Sequence, residues 1–350
     1  MPKTPTDTRL AFGGPTMGTH WSVLIDGPVS DPTVQSCLQA AVDEIDSQMS
    51  TWTPESTLMR LNRAPLDIWV HLPDRLLTVL EAGLAISRQT DGAFEMNMGD
   101  AVRAWGFGPD PLDLQAIRAA NAAQRVPATT ALELDRTNGR ARKSAPLALD
   151  LSGIAKGYGV DRLAETARDL GFDHALCTID GELRAIGSRR DGRPWAVAIE
   201  TPDDSTLGRH SILELEDMAV ATSGDYRHFV TVGTARLSHT MDPRRGAPLV
   251  AAPASVTVLS RSCMMADAMA TALMVMGDTK GPDFAADHAI SALFLLRSPG
   301  ETTAVGTGAF AWSGDSAGQV VSPGPPRHLS FGRRQGLPVL AAAGDCHNPD

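Results

Sequence analysis

The sequence predicts an α+β fold with mixed, largely antiparallel sheets and packed helices. Helical stretches and strand-like runs are intermixed without the strict β-α-β alternation of a doubly wound sheet. Three strand-like runs follow one another between 174 and 200. The 350 residues suit one large domain, or two subdomains sharing a core.

Each element has its own reason. Residues 1–15, rich in Pro, Thr and Gly, read as a flexible lead-in. MGTHWSVLID (17–26) alternates enough to be a strand. A helix is expected over 32–49. Asp31 can cap it, Pro32 suits its first turn, and Val34, Leu38, Ala41, Ile45 and Met49 recur at helical spacing. A second is expected over 74–89, with Leu76, Leu80 and Leu84 on one face and Gly92 just beyond. Residues 112–123 suit a short, Ala-rich surface helix. Ile154, Tyr158, Leu163 and Leu170 mark a helix over 154–170, stopped by Gly171. HALCTI (174–179), ELRAIG (182–187), WAVAIE (195–200), SVTVLS (255–260) and SALFLL (291–296) read as strands, and 263–276 as a buried helix rich in Met and Ala. From 316 to 350 the chain turns to Gly, Pro, Ser and Arg, which predicts a poorly ordered tail and leaves 16–315 as the working domain.

Composition narrows the function. The formal net charge is −10, the wrong sign for holding nucleic acid phosphates, so nucleic acid is set aside. An anionic ligand would need a local cation or a metal. Cys37, Cys177, Cys263 and Cys346 form no CxxC and are expected as free thiols. No signal peptide, lipidated cysteine or membrane-spanning apolar run is visible, which predicts a cytoplasmic protein.

Four segments carry candidate chemistry. In ADAMAT (266–271), Asp267 and Thr271 are four apart on the expected helix and share one face. Carboxylate and hydroxyl are hard oxygen donors that suit Mg²⁺. The apolar flanks suggest that Asp267 is buried, and a buried carboxylate needs a partner or a metal. The plainer alternative is a hydrogen-bonded helix face. In LDLSGIAKGYGVDRLAE (149–165), Asp150 ends an apolar strand and a helix begins near Ile154. Amides at a helix start favour anions and Lys156 adds a full charge, while Gly153 allows close approach and offers a carbonyl. The alternative is an ordinary strand-to-helix turn with a solvated lysine. In LSHTMDPRRGAPL (237–249), His239 and Asp242 flank a Pro-Gly turn, and a histidine there can take a hydroxyl proton. It can equally hydrogen-bond its own loop. Trp52, Phe94, Trp105 and Phe107 can wall a flat ring system, although Trp105 and Phe107 read better as core.

Taken together and in order, these segments resemble the ApbE family of FAD:protein FMN transferases. The resemblance runs through MGT (17–19), STWTPES (51–57), DGAF (91–94), AWGFG (104–108), LDLSGIAKGYGVD (149–161), VATSGDY (220–226), SHTMDPRRG (238–246) and SCMMADAMAT (262–271). It implies two α/β subdomains around one flavin site, with FAD as donor, Mg²⁺ as metal and a Thr or Ser hydroxyl of another protein as acceptor. Position by position, it implies Asp267, Thr271 and the Gly153 carbonyl as metal ligands. Met17, Trp52, Ala93, Phe94, Glu95, Asp150, Lys156 and Met241 become FAD contacts, and His239 assists catalysis with Asp242 as the alternative base or its orienting partner. The implied acceptor is a flavin-carrying subunit of a redox complex. The chain departs from the usual pattern at Trp52 (often Tyr), Glu95 (usually Asp), Arg245 (commonly Thr) and Asp180-Gly181 (frequently Gly-Gly). Many members are exported, which makes a periplasmic location the alternative compartment. Two other functions use the same site: an FAD pyrophosphatase releasing FMN and AMP, and a non-catalytic FAD-binding protein.

Overall fold

The computed structural model describes residues 9–202, 209–225, 229–232, 235–250, 253–298, 301–311, 319–321 and 328–330. Its centre is an eight-stranded sheet whose spatial order follows the chain: Arg9–Thr16, Thr19–Asp26, Ala175–Ile179, Glu182–Ile186, Ala219–Gly224, Ser255–Ser260, Ser291–Ser298 and Glu301–Gly306. Every neighbouring pair is antiparallel, as the sequence leads one to expect. The first strand is a correction: residues 9–15 are not a loose lead-in but pair with Trp21–Asp26 and their neighbours through a hairpin. Met17 and Gly18 turn that hairpin, both at positive φ (47° and 72°), a two-residue turn matched to the strand twist. The expected loose tail lies almost wholly outside the described residues, except that 319–321 pairs with 328–330.

Side-chain alternation gives the sheet two buried faces. Cys177, Ala219, Val256, Val258, Ala292 and Phe294 point to one side, under the helices Val34–Met49, Ala155–Asp169 and Cys263–Asp287. Leu176, Val220, Leu259, Leu293 and Leu295 point to the other, against a hairpin of Trp195–Glu200 and Arg209–Leu215. Burial on both faces explains why SVTVLS and SALFLL are apolar almost throughout. The helix expected to end at 276 breaks there: Gly277 adopts φ 85°, ψ −169°, and helical turns then resume to Asp287. No helix among the described residues is long and apolar enough to cross a membrane. Cys37, Cys177 and Cys263 are free thiols; Cys346 lies outside the described residues.

Two excursions from the sheet build the rest. Between the second and third strands come the helices Thr57–Arg63, Asp74–Gln89, Gly99–Ala104 and Leu114–Ala122 with a small sheet of Val70–His71, Leu132–Asp135 and Arg140–Lys143. Between the fifth and sixth come the short pairs Phe229–Val232 with Ala235–Ser238, and Met241–Asp242 with Ala247–Pro248. The first leads into the helix Ala155–Asp169, and the second returns to the sheet at Ser255.

Candidate active site

Two helices carry the first group of site residues, and Gly157 lets them meet. A Cβ at 157 would fall 2.4 Å from the Cys263 carbonyl oxygen and 2.7 Å from Asp267 Cβ. Without one, the Gly157 amide donates to Asp267 Oδ2 at 2.9 Å. Gly157→Ala is therefore expected to push the two helices apart and cost about 1–3 kcal/mol, read as a lower denaturant midpoint at unchanged slope. An unchanged midpoint would show that the contact is slack.

Lys156 stands one residue earlier. Its Nζ lies 3.0 Å from Asp180 Oδ2 and 3.0 Å from Glu182 Oε1. Burial works to lower this amine, but Glu182, Asp180 and Asp267 outweigh it and hold it well above its ordinary value. Burial also pushes Glu182 up to about 8 and Asp267 up to about 6, with Lys156 pulling both back. Thr271, one turn beyond Asp267, places its Oγ1 3.2 Å from Ser223 Oγ. Gly153 comes against the same hydroxyl: a Cβ there would sit 3.0 Å from Thr271 Oγ1 and 3.4 Å from Phe94 Cε2. Thus Gly153, Lys156, Asp267, Thr271 and Phe94 gather at one place. Met17 joins them from the hairpin turn, its methyl 3.1 Å from where a Cβ of Gly159 would stand.

Buried polar side chains brace this group. Asp161 accepts from Arg184 Nη1 (2.6 Å), Ser262 Oγ (2.7 Å) and the amides of Cys263 (2.9 Å) and Met264 (3.0 Å). It caps the helix that bears Asp267 from the helix that bears Lys156. Asn62 makes reciprocal bonds with the backbone of Leu149 (2.8 and 2.9 Å), and Asn97 Oδ1 takes the Ala148 amide at 2.8 Å. These two side chains act like a neighbouring strand for the segment leading into Asp150.

The segment 93–108 meets Gly153, Asp150 and His239 in turn. Glu95 turns inward: its Oε1 accepts from the amides of Asn97 (2.7 Å) and Ala128 (3.1 Å), and burial raises its carboxyl above the ordinary range. Glu95 and the adjoining Ala93 can therefore meet a ligand through backbone. Further on, Gly99 and Arg103 line a cleft with Thr51, Asn62 and Asp150. Burial raises the Asp150 carboxyl, against the Ser152 amide and the Arg103 charge. Trp52, beside Thr51, is 62% exposed, which suits a stacking surface and not a core residue. Trp105 Nε1 donates to the Gly246 carbonyl at 3.3 Å, and Phe107 meets the His239 ring edge-on at 6.4 Å between centroids. These aromatics dock the 238–248 turn, where Met241 is buried among Met98, Ala101 and Ile117. Asp242 builds that turn: its Oδ1 accepts from the Arg244 amide at 2.9 Å and its carbonyl from Arg245 and Gly246.

Comparison with known proteins decides the family: the ApbE family profile matches residues 17–294. The chain belongs to the ApbE family. An FAD:protein FMN transferase of Vibrio cholerae is 35% identical over 295 residues, covering 83% of this chain and 88% of its own. One of Klebsiella pneumoniae is 32% identical, covering 86% and 87%. Among solved structures, the flavin transferase ApbE of Vibrio cholerae superimposes with a TM-score of 0.76 at 33% identity, over 85% of this chain and 97% of that one. The apo flavinyl transferase ApbE of Pseudomonas stutzeri gives the same score at 35% identity, over 86% and 95%. In this ApbE-family chain the residues to which motif reading gave no role are Ser223, Glu182, Asp161, Asn62 and Asn97, and Asp180 was noted only as a departure from the usual pattern. Ser223 lay inside the recognised VATSGDY segment. Asp161 closed the recognised LDLSGIAKGYGVD segment, and Glu182, an acid opening a strand that proves to be buried, was a further visible signal.

Proposed function

We propose that this enzyme transfers the FMN half of FAD to a Thr or Ser hydroxyl of an acceptor protein, releasing AMP. The observation that carries the reading is the meeting of Lys156 and Asp267 across Gly157, with Thr271 and Gly153 alongside. The residues present fit Mg²⁺. Asp267, Thr271 and the Gly153 carbonyl are all hard oxygen donors, and they include one carboxylate only, which leaves coordination positions for phosphate oxygens and water. When bound, Mg²⁺ supplies positive charge to the pyrophosphate as negative charge shifts toward AMP.

The chain's own residues supply the rest. Lys156 binds the same phosphates. Trp52 and Met17 offer apolar surface to the flat rings, the backbone of Ala93 and Glu95 orients them, and Phe94, which is 3% exposed, packs in the core behind the site and does not wall it. His239 takes the proton of the acceptor hydroxyl as its oxygen bonds to the FMN phosphorus. The P–O bond to AMP breaks, and AMP leaves with that electron pair. The acceptor is a flavin-carrying subunit of a redox complex.

Incubation with FAD, Mg²⁺ and an acceptor bearing the target hydroxyl tests the proposal. Mass analysis is expected to find the acceptor heavier by one FMN less one water, with one AMP released per transfer. Free FMN and AMP with an unmodified acceptor would replace the transferase with a hydrolase.

A further inference from the structure

The turn that follows the proposed base is held at its far end by an arginine from another part of the chain. Met241–Asp242 pairs with Ala247–Pro248, and the Leu249 amide donates to the Thr240 carbonyl at 2.9 Å, so residues 240–249 close into a tight hairpin directly after His239. Gly246 lies in its loop at φ 62°. A Cβ there would fall 2.2 Å from Arg125 Nη1 and 2.9 Å from Arg125 Cζ, so the glycine rests directly against the guanidinium. The carbonyl of the same glycine accepts from Trp105 Nε1.

Arg125 is itself fixed. Its Nη2 donates to Asp100 Oδ2 at 2.6 Å and its Nη1 to the Ala120 carbonyl at 2.7 Å. Asp100 lies in the first turn of the helix Gly99–Ala104, whose Gly99 and Arg103 line the Asp150 cleft, and Trp105 ends the same helix. The guanidinium therefore stands between a wall of the cleft and the turn attached to His239. Among the described residues it bonds none of the groups proposed to hold FAD or Mg²⁺. A guanidinium offers a rigid fork and a flat face, so one group can hold Asp100 and seat Gly246 together. We propose that Arg125 is a positioning residue that sets the place of His239 relative to the bound dinucleotide. The proposal rests on the reading of His239 as the base for the acceptor hydroxyl. Because backbone bonds close the hairpin, a shift of Gly246 off the guanidinium carries the residues beside His239 with it.

Coupling to His239 separates positioning from bracing. Arg125→Met is made alone and together with His239→Ala, on the full chain. The Asp100 side chain is 42% exposed, so its carboxylate stays solvated when the guanidinium is removed, and the variant is expected to fold. Single-turnover flavinylation at saturating FAD and Mg²⁺ gives the rate, and an FAD titration gives the affinity. Arg125→Met is expected to slow transfer by about 10- to 100-fold, the scale of a displacement of about 1 Å at reacting groups, with FAD affinity changed by less than about twofold. In the His239→Ala background the same substitution is expected to change the rate by less than about twofold, because an absent base cannot be misplaced. Equal slowing in both backgrounds overturns the proposal, as does a loss of FAD affinity that matches the loss of rate. A His239→Ala chain as fast as wild type sinks the reading of the base, and the proposal falls with it. A slow His239→Ala chain beside an unimpaired Arg125→Met chain sinks the proposal alone. Arg125→Lys keeps a cation opposite Asp100 but lacks the flat face against Gly246. It is expected to show the same pattern with a smaller loss, and it keeps the test decisive if Arg125→Met disturbs folding.

Discussion

Asp267→Asn is expected to abolish Mg²⁺-dependent FMN transfer, by about 10³-fold or more, while leaving a folded chain. Asn is the informative substitution. It retains an oxygen to accept the Gly157 amide, the bond at 2.9 Å that joins the two helices. Alanine would leave that amide unsatisfied where a Cβ has no room, and so would mix structural loss with catalytic loss. What Asn removes is the charge, and charge is what a hard divalent cation needs. The expected size follows from removing a main electrostatic stabiliser of a transferring phosphoryl group, where single donors are already worth about 10²–10³. The measurement is initial rate of acceptor flavinylation by mass analysis across a Mg²⁺ titration, with circular dichroism to check the fold. Activity within a few-fold of wild type at saturating Mg²⁺ would remove Asp267 from the metal site.

His239→Ala should slow the chemical step by about 10²–10³, the usual worth of a positioned general base, with FAD affinity changed by less than about twofold. The geometry separates its effect from that of its neighbour. Asp242 spends its carboxylate on the Arg244 amide and its carbonyl on the turn, so Asp242→Asn should act mainly on the stability of 238–248. Phe107 stands against the His239 ring, which ties the imidazole to the segment that also contacts Gly153 and the Asp150 cleft. Single-turnover flavinylation and an FAD titration on the same variant decide the matter. If FAD affinity collapses by the same factor as the rate, His239 is a binding residue.

Much of the fold was legible before any coordinates. The helices beginning at 34, 74, 155 and 263 and the strands at 19, 175, 182, 195, 255 and 291 follow from periodicity and caps, since local pattern and burial agree there. The strand over 9–16 was missed because Gly13, Gly14 and Pro15 carry no strand propensity. It forms through its pairing with the next strand and not through its own preference. The hairpin partner over 209–215 and the edge strand over 301–306 were missed as well, although Ile212, Thr302, Thr303 and Val305 favour strands; both are strands by pairing with a neighbour.

Within the site, the sequence by itself determined which chemistry was available: an acid and an alcohol one helical turn apart, a lysine at a helix start, a histidine beside a turn, and their order along the chain. Only the tertiary structure decided which of these meet. Lys156 and Asp267 lie far apart in sequence and come together because Gly157 has no side chain. Glu95 reads as a ligand contact in the sequence, but folding spends its carboxylate on two amides. Asp180 and Glu182 read as a turn and a strand start, but the hairpin carries both to one ammonium. The physical reason is common to all three. A side chain's type is local, but its partner and its charge balance depend on what packing brings within a few ångströms, and no local pattern encodes that distance.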